Sequence, residues 1–329
     1  MSAPMVLAVD GGNSKTDLAL VRADGEVLAL VRGPLSSPHH IGLGGCLDVL
    51  QRLLDEARRK AGLDGARAEV GAVLLAGVDF PAEVQRLQQA LDERGWAART
   101  TVANDTFAVL RAGTERGWGV AVVCGAGINC VGVSPGGRHV RFPALGPISG
   151  DWGGGRDVGL AAVSAAARSE DGRGPSTSLE RLVPAHFGLE APHELAEAIH
   201  LGRIPERDVA ELAPVVLAAA TDDPVAAGIV DRLAFEVVAL ARAALTRLEL
   251  THEPVEVLLG GGLLRSGDGR LLEAIEAGLR EVSPALTVHA ATSPPIVGAA
   301  LLGLDEVGAG AEAQARLRRE LEAAVEEVE

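Results

Sequence analysis

Residues 6–20 read VLAVDGGNSKTDLAL and contain the turn that decides the fold. An apolar run leads to Asp10, Gly11 and Gly12, and an alternating run follows from residue 17, so the pattern predicts a strand, a tight turn and a second strand. Adjacent glycines let backbone N–H groups approach an anion, and Asp10 adds a carboxylate at the strand end. The stretch is either an ordinary hairpin or a seat for a phosphate and a hydrated cation. Four further donors follow the glycines: Asn13, Ser14, Lys15 and Thr16.

The composition describes a globular protein that is long enough for two domains. The chain has 329 residues, of which 47% are hydrophobic, and a formal net charge of −15. That charge argues against a nucleic-acid binder or an anionic-membrane binder. We find no signal peptide and no apolar run of bilayer length, so we expect a cytoplasmic protein. The three cysteines Cys46, Cys124 and Cys130 form no disulfide framework.

The first third predicts an α/β sheet with an antiparallel flank, in the order β-β-β-α-β-α-β-α. Residues 33–45 read as a polar loop rich in glycine and proline. Beyond the opening hairpin, we predict strands at 27–31, 69–77 and 100–103, and helices at 46–61, 81–94 and 107–114.

The pattern restarts near residues 115–119. Strands at 120–124, 129–133 and 139–142 surround a second glycine turn, so we predict an internal duplication and two similar lobes that face each other across a cleft. The predicted lobes are residues 1–116 and 117–329. A helical insert occupies about 169–250, and the final helix packs back on the first lobe.

The second half is mostly helical. A glycine cluster at 150–158 precedes a predicted helix at 159–168, and Gly298 with several alanines predicts a closely packed helix at 294–304. The remaining predictions are helices at 179–187, 192–200, 208–220, 224–250, 269–282 and 309–329, and strands at 255–259 and 286–290.

Three glycine turns that follow strands carry a family resemblance, although none has Walker A or dinucleotide-fold spacing. DGGNSKT (10–16), CGAGIN (124–129) and LLGGGLLRS (258–266) resemble the two phosphate loops and the adenosine loop of the actin-like ATPase and sugar-kinase superfamily. The similarity is greatest to the BadF/BadG/BcrA/BcrD ATPase family and its N-acetylglucosamine kinase-like branch. It implies an α/β fold of two actin-like, ribonuclease H-like lobes with mixed sheets flanked by helices. LVPAHFGL (182–189) and APHELAEAIH (191–200) resemble the helical insert of the bacterial members.

The resemblance also implies residue roles. Asp10 would orient a hydrated Mg²⁺, and Gly261 and Gly262 would contact the adenosine of ATP. Asp105 matches the position of the catalytic base, whereas its spacing alone favours an N-cap of the following helix, and one carboxylate can serve both roles. The implied phosphate-binding residues are Gly11, Gly12, Asn13, Ser14, Lys15, Thr16, Gly125, Ala126 and Gly127.

The candidate sugar-binding residues lie in three segments. Asp151 stands in GDWGGG, where amino-sugar kinases typically show GDEG, so Trp152 replaces an acidic residue; Asp151 is alternatively a turn residue. His39 and His40 are alternatively a solvated pair in the loop 33–45, and a metal site at these histidines would need further ligands that the nearby sequence does not supply. The candidates are Asn104, Asp151, Ser37, His39 and His40.

Cys124 and Cys130 flank the second glycine turn. The activator of 2-hydroxyacyl-CoA dehydratases, a relative of this family, holds an iron–sulfur cluster between two subunits. Such a cluster needs four thiolates, and the further signatures of that branch are absent. Buried structural thiols are the favoured interpretation.

These features predict an ATP-dependent kinase that converts N-acetylglucosamine, or a close amino sugar, to its 6-phosphate with Mg²⁺ and an Asp base. The expected partners are the sugar and ATP, with no nucleic acid and no membrane, in a homodimer. The first alternative is a non-kinase ATPase that couples hydrolysis to a partner protein. A sugar-sensing repressor is a weaker alternative, because the chain begins at the phosphate strand without a helix-turn-helix.

Overall fold

The structure is a computed structural model that describes residues 4–328. Within them the chain forms two five-stranded sheets and divides into two compact units. The first unit runs to Gly119 and resumes at Ala291, and the second is Val120–Ala290. We call these units the first and second lobes. No helix in the described range combines the length and apolarity that a membrane crossing requires.

The sheet of the first lobe has the strand order β3-β2-β1-β4-β5. β1, β4 and β5 run parallel, while β2 and β3 form the antiparallel flank. The carboxyl ends of the parallel strands therefore share one edge. The strands are β1 Met5–Gly11, β2 Lys15–Arg22, β3 Val27–Pro34, β4 Ala68–Leu75 and β5 Ala97–Ala103, and the helices between them are α1 Pro38–Ala61, α2 Pro81–Arg94 and α3 Thr106–Gly113.

The sheet of the second lobe repeats this order, since β8-β7-β6-β9-β10 again places the first strand between its hairpin partner and the fourth strand. β9 is parallel to both β6 and β10. The repeat is what an internal duplication predicts. The strands are β6 Gly119–Cys124, β7 Ile128–Val133, β8 His139–Arg141, β9 Glu256–Gly260 and β10 Thr287–Ala290, and the helices are α4 Gly154–Glu170, α5 Leu179–His186, α6 Pro192–His200, α7 Ala213–Ala219, α8 Pro224–Leu248 and α9 Gly269–Val282.

The last two helices, α10 (Pro295–Glu306) and α11 (Ala311–Val328), belong to the first lobe. α10 is the closely packed helix that its sequence predicts, because a Cβ on Gly298 would lie 1.8 Å from the carbonyl oxygen of Ala108 in α3. In α11, Glu320 Oε2 accepts a hydrogen bond from the backbone N of Val27 at 2.9 Å. The sequence predicts that the second lobe is residues 117–329 and that its final helix packs back on the first lobe. The structure differs, since the chain returns to the first lobe at Ala291.

Two helices begin earlier than the sequence predicts. Helix α1 starts at Pro38, inside the predicted loop 33–45, with a non-helical residue at Gly42 (φ 69°, ψ 167°). Helix α4 starts at Gly154, inside the predicted glycine cluster. In both segments the glycines conceal the helical pattern, because glycine disfavours a helix unless tertiary packing supports it.

Candidate active site

The opening stretch forms the β1–β2 hairpin, closed by a hydrogen bond from the backbone N of Gly12 to the carbonyl of Lys15 at 2.9 Å. Gly11 is required by close packing. A Cβ there would lie 2.3 Å from both Leu75 Cδ2 and Ser36 Oγ. The turn therefore lies directly against β4 and the segment between β3 and α1.

The donors of the turn point in different directions. Asn13, Ser14 and Lys15 are exposed, whereas Thr16 is fully buried. The hydroxyl of Thr16 donates to the carbonyl of Pro34 at 2.7 Å. Thr16 therefore fixes the start of the β3–α1 segment within the lobe, and the three exposed residues are the ones that can reach a ligand from the side chain.

A row of charged residues crosses three neighbouring strands. Asp10 of β1 lies opposite Asp17 of β2, which lies opposite Arg32 of β3. Arg32 donates to Asp17 through Nε at 2.7 Å and Nη2 at 2.9 Å, and the Asp17 side chain is 3% exposed. Because like charges on opposite strands repel, this bidentate pair reduces the repulsion between the two aspartates.

Asp10 lies in an environment that disfavours its negative charge. Burial raises the pKa of Asp10 well above its usual value, and the carboxylates of Asp105 and Asp17 raise it further. Lys15 and Arg32 oppose this rise in the pKa only partly. A bound cation would relieve the repulsion among the three aspartates, and carboxylate oxygens are ligands that Mg²⁺ accepts. The donor set therefore fits the ion that the family resemblance implies.

Asn104 and Asp105 follow β5 directly. The sequence leaves open whether Asp105 caps the next helix, serves as the base, or does both. Asp105 is the N-cap residue of α3, yet within the described residues its side chain makes no capping hydrogen bond. Asn104 Oδ1 accepts from the backbone N and the hydroxyl of Thr106 at 3.0 and 2.6 Å. The capping function thus belongs to Asn104, and the half-buried carboxylate of Asp105 is not used for it.

The β3–α1 segment lies beside the loop that follows β4. Ser37 is fully buried, while His39 and His40 are exposed. His39 Nε2 lies 2.8 Å from Glu83 Oε1, and Asp79 Oδ1 accepts from Asn104 Nδ2 at 3.0 Å. Four predicted site residues of the first lobe thus lie in adjoining loops and helix starts that follow the carboxyl ends of its strands: Ser37, His39, Asn104 and Asp105.

In the second lobe, the turn of Gly125, Ala126 and Gly127 is exposed and packs against the start of α4. The backbone N of Gly155 donates to the carbonyl of Gly125 at 2.8 Å. Gly154 has φ +79°, and a Cβ there would lie 2.4 Å from the carbonyl carbon of Gly127. The glycine cluster therefore exists because helix α4 meets this turn at backbone distance.

The third glycine turn lies against the end of the same strand, β6. Gly261 has φ +86°, and its Cβ would lie 2.1 Å from the carbonyl oxygen of Cys124, whereas Gly262 is exposed.

All three cysteines are free and buried. Burial raises the pKa of the Cys46 and Cys124 thiols to about 12 and raises the pKa of Cys130 as well. These are protonated, inert thiols, in agreement with the structural interpretation.

Asp151 and Trp152 are both engaged within the second lobe. Asp151 Oδ2 accepts from the hydroxyl of Ser149 at 2.5 Å, which supports the turn interpretation without excluding a ligand at its other oxygen. The guanidinium of Arg232, in α8, lies 4.1 Å from the centre of the Trp152 ring. This cation–π contact accounts for the indole at the position where the family pattern has an acidic residue.

Sequence reasoning missed Asp17, Arg32, Asp79 and Glu83. A charged residue within an otherwise apolar strand was the available signal for Asp17. Asp79 follows β4 as Asp105 follows β5, so its position at a parallel strand's carboxyl end was a signal too. Arg32 and Glu83 carried no recognisable signal in the sequence, because their roles depend on partners that are distant in sequence.

A family model described as the BadF/BadG/BcrA/BcrD ATPase family matches residues 7–303. The chain belongs to this family. The prediction made from the three glycine turns is confirmed, and so is the predicted fold class of two lobes with mixed sheets flanked by helices.

Two curated relatives of this chain are named as kinases. An N-acetylmuramic acid/N-acetylglucosamine kinase from Clostridium acetobutylicum is 29% identical over 79% of this chain and 86% of its own. An N-acetyl-D-glucosamine kinase from Dictyostelium discoideum is 26% identical over 93% of this chain and 99% of its own length. Among solved structures, a candidate N-acetylglucosamine kinase from Chromobacterium violaceum matches with a TM-score of 0.73 and 27% identity, covering 92% of this chain and 100% of that one.

Proposed function

We propose that this protein transfers the γ-phosphoryl group of ATP to an amino sugar, with N-acetylglucosamine and its 6-phosphate as the most direct assignment. Family membership and the names of the two curated relatives support the reaction class. The observation that carries the proposal is Asp105, a half-buried carboxylate that follows β5 and lies near Asp10, Asp17 and Arg32, which we call the Asp10 cluster. Asn104 performs the capping at the start of α3 in its place.

In this proposal Asp105 is the general base. It accepts the proton of the sugar 6-hydroxyl as the oxygen–phosphorus bond forms and the bond from the γ-phosphorus to the bridging oxygen breaks. The charge of Asp105 contributes to the raised pKa of Asp10, so the two carboxylates lie close enough to interact.

Asp10 would hold Mg²⁺ through its hydration shell. When bound, the ion supplies charge neutralisation of the transferring phosphoryl group. Arg32 would neutralise Asp17 on the strand beside Asp10. This pairing would limit the repulsion between Asp17 and Asp10, so that Asp10 keeps its position. Asn13, Ser14 and Lys15, which are exposed on the turn, would donate to phosphate oxygens.

The glycine turns would bind the nucleotide through their backbones. The turn of Gly125, Ala126 and Gly127 is exposed, and its backbone would bind phosphate in the way that glycine-rich turns bind anions. Ala126 and Gly127 would supply the N–H groups, because the N–H of Gly125 donates to the carbonyl of Gly127 at 3.0 Å. Gly261 and Gly262 would contact adenosine through their backbones. Nothing lies within 4 Å of the Cβ position of Gly262, which leaves room for a ligand to approach closely.

Asn104 would orient the sugar through the N–H groups of its side-chain amide. The amide already bonds to Asp79 through its nitrogen and to Thr106 through its oxygen, so its orientation is fixed before the sugar arrives. Asp151, Ser37, His39 and His40 remain proposed sugar contacts.

The test is a coupled assay of ADP release with N-acetylglucosamine, glucosamine, N-acetylmannosamine and glucose, combined with detection of the phosphosugar. We expect an amino sugar to stimulate ADP release, with one molecule of sugar 6-phosphate formed for each ADP released. ADP release that is independent of every sugar would favour the ATPase alternative. A cytoplasmic location and a homodimer also remain proposals, and light scattering after size-exclusion chromatography tests the second.

A further inference from the structure

Three side chains of metal-ligand type meet in the first lobe. They are His39 in the first turn of α1, Asp79 in the loop after β4, and Glu83 in the first turn of α2. One ligand atom from each lies within 4.8 Å of the others. This group is distinct from the Asp10 cluster, and it supplies the ligands that the sequence around His39 does not reveal.

The two carboxylates are held in place by hydrogen bonds to the rest of the lobe. Glu83 Oε2 accepts from the backbone N of Asp79 at 2.8 Å and of Phe80 at 2.9 Å, so its Oε1 is directed to His39. Asp79 Oδ1 accepts from Asn104. Outer partners of this kind orient metal ligands and are a large part of a site's affinity.

The backbone on the other side of the imidazole is equally constrained. Gly77 has φ +74°, and a Cβ there would lie 2.7 Å from Ser37 Oγ and 3.1 Å from His39 Cγ. Only a glycine lets the β4–α2 loop approach the start of α1 this closely. The Ser37 hydroxyl at this junction is fully buried and has no hydrogen-bond partner among the described residues.

We propose that His39, Asp79 and Glu83 bind one divalent transition-metal ion of the zinc class. One imidazole nitrogen with two carboxylate oxygens is a donor set that suits such ions better than Mg²⁺. Two ligands of a tetrahedral ion with bonds of about 2.0–2.2 Å lie roughly 3.3–3.6 Å apart, so His39 Nε2 and Glu83 Oε1, which are 2.8 Å apart in their hydrogen bond, would have to separate only slightly to hold the ion. The His39 side chain is 44% exposed, which gives the ion an entry path.

The ion would clamp the start of α1 to the β4–α2 loop. It would replace the His39–Glu83 hydrogen bond by two coordinate bonds, and water would complete its coordination. Through the Asp79–Asn104 hydrogen bond, the clamp would also stiffen the residue that precedes Asp105. The metal site can be tested independently of the proposed sugar-kinase activity, although both proposals assign a role to His39.

The test is isothermal titration of the full chain with Zn²⁺, after removal of metals with EDTA and without Mg²⁺ or nucleotide. We expect one Zn²⁺ per chain, and at least about tenfold weaker binding in each of His39→Ala and Glu83→Gln. His40→Ala is the matched control, because it removes an adjacent exposed imidazole that is outside the group, and it should leave the affinity unchanged.

A second readout reports coordination directly. Co²⁺ in place of Zn²⁺ should give visible d–d absorption bands that disappear in His39→Ala, while circular dichroism shows that the variant is folded. The proposal is overturned if the wild-type chain shows no saturable binding, if the His39 and Glu83 variants bind as the wild type does, or if His40→Ala weakens binding as much as they do.

Discussion

The side chain of Asn104 donates from Nδ2 to Oδ1 of Asp79 at 3.0 Å, across 25 positions of sequence. Its own Oδ1 accepts from Thr106 at the helix start. The amide is therefore held at both ends, and the residue before Asp105 has one defined orientation. If Asn104 contacts the sugar as proposed, Asp79 would act on the sugar through Asn104, as a positioning residue.

Replacing Asp79 with alanine should therefore raise the KM for the sugar by about tenfold, which corresponds to about 1.4 kcal/mol for the lost hydrogen bond to Asn104. The KM for ATP should change little. Steady-state kinetics with each substrate varied separately measures both constants. Asp79→Asn should restore most of the sugar affinity, because the new amide oxygen can still accept from Asn104. Equal effects on both KM values would show a general structural role instead.

Asp105→Asn should lower kcat by roughly 10²–10⁴-fold, the usual contribution of a general base, because an amide cannot accept the proton. The substitution keeps the shape of the side chain and removes no capping hydrogen bond. Nucleotide affinity, measured by isothermal titration, should stay near that of the wild type. A variant with wild-type turnover would contradict the assignment of the base.

Many elements of both lobes were predictable because their signals are local. A run such as residues 6–20 shows strand, turn and strand within one window, and the helices at Pro81–Arg94, Pro192–His200 and Gly269–Val282 have the predicted bounds. In each helix an amphipathic pattern ends at recognisable residues. The glycine turns indicated the family for the same reason.

The contacts that organise the candidate site could not be predicted in this way. Asp79 meets Asn104 only after β4 and β5 have taken adjacent places in the sheet. His39 meets Glu83 only when the start of α1 packs beside the start of α2. The early start of α4 is also non-local, since the helix begins at Gly154, a residue with φ +79° that packs against the backbone of Gly127. A single sequence does not display such pairings.

Asp223, the N-cap of α8, gives the second lobe a pH-dependent contribution to stability. Burial opposes its ionisation, but hydrogen bonds from Ser178, Thr177 and the backbone of Val225 outweigh that effect and hold the pKa of Asp223 well below its usual range. The stabilisation is therefore complete above the unfolded pKa of about 3.9 and is lost as the pH falls below it.

Asp223→Asn should accordingly destabilise the protein by about 2 kcal/mol at pH 6, and the difference from the wild type should shrink at pH 3.5. Urea unfolding at both pH values measures it. Asp222→Asn is the matched control, because that neighbouring side chain is exposed, and it should have little effect at either pH. A difference that does not change with pH would refute the explanation.

Asp10→Ala should impair the use of Mg-ATP without destabilising the fold. Because burial and the carboxylates of Asp105 and Asp17 disfavour the charge on Asp10, its removal should leave the melting temperature unchanged or raised. Asp17→Ala should instead cost about 2–3 kcal/mol, because it leaves Arg32 without its bidentate partner. Calorimetry, with nucleotide titrations in Mg²⁺ and in EDTA, separates the two effects. A large loss of stability in Asp10→Ala would show that the Asp10 carboxylate supports the fold instead of the ion.

Gly298→Ala should destabilise the first lobe by about 2–3 kcal/mol, because the added methyl group would meet the carbonyl oxygen of Ala108 at 1.8 Å. The two helices α3 and α10 would have to separate, which should be visible as a lower midpoint of urea unfolding. Gly228→Ala is the matched control. Gly228 is also inside a helix, but no described atom outside its own helix backbone lies within 4 Å of its added Cβ. It should therefore gain about 0.5–1 kcal/mol from helix propensity alone. Opposite signs for the same chemical change would show that Gly298 is required by packing, and equal signs would show that it is not.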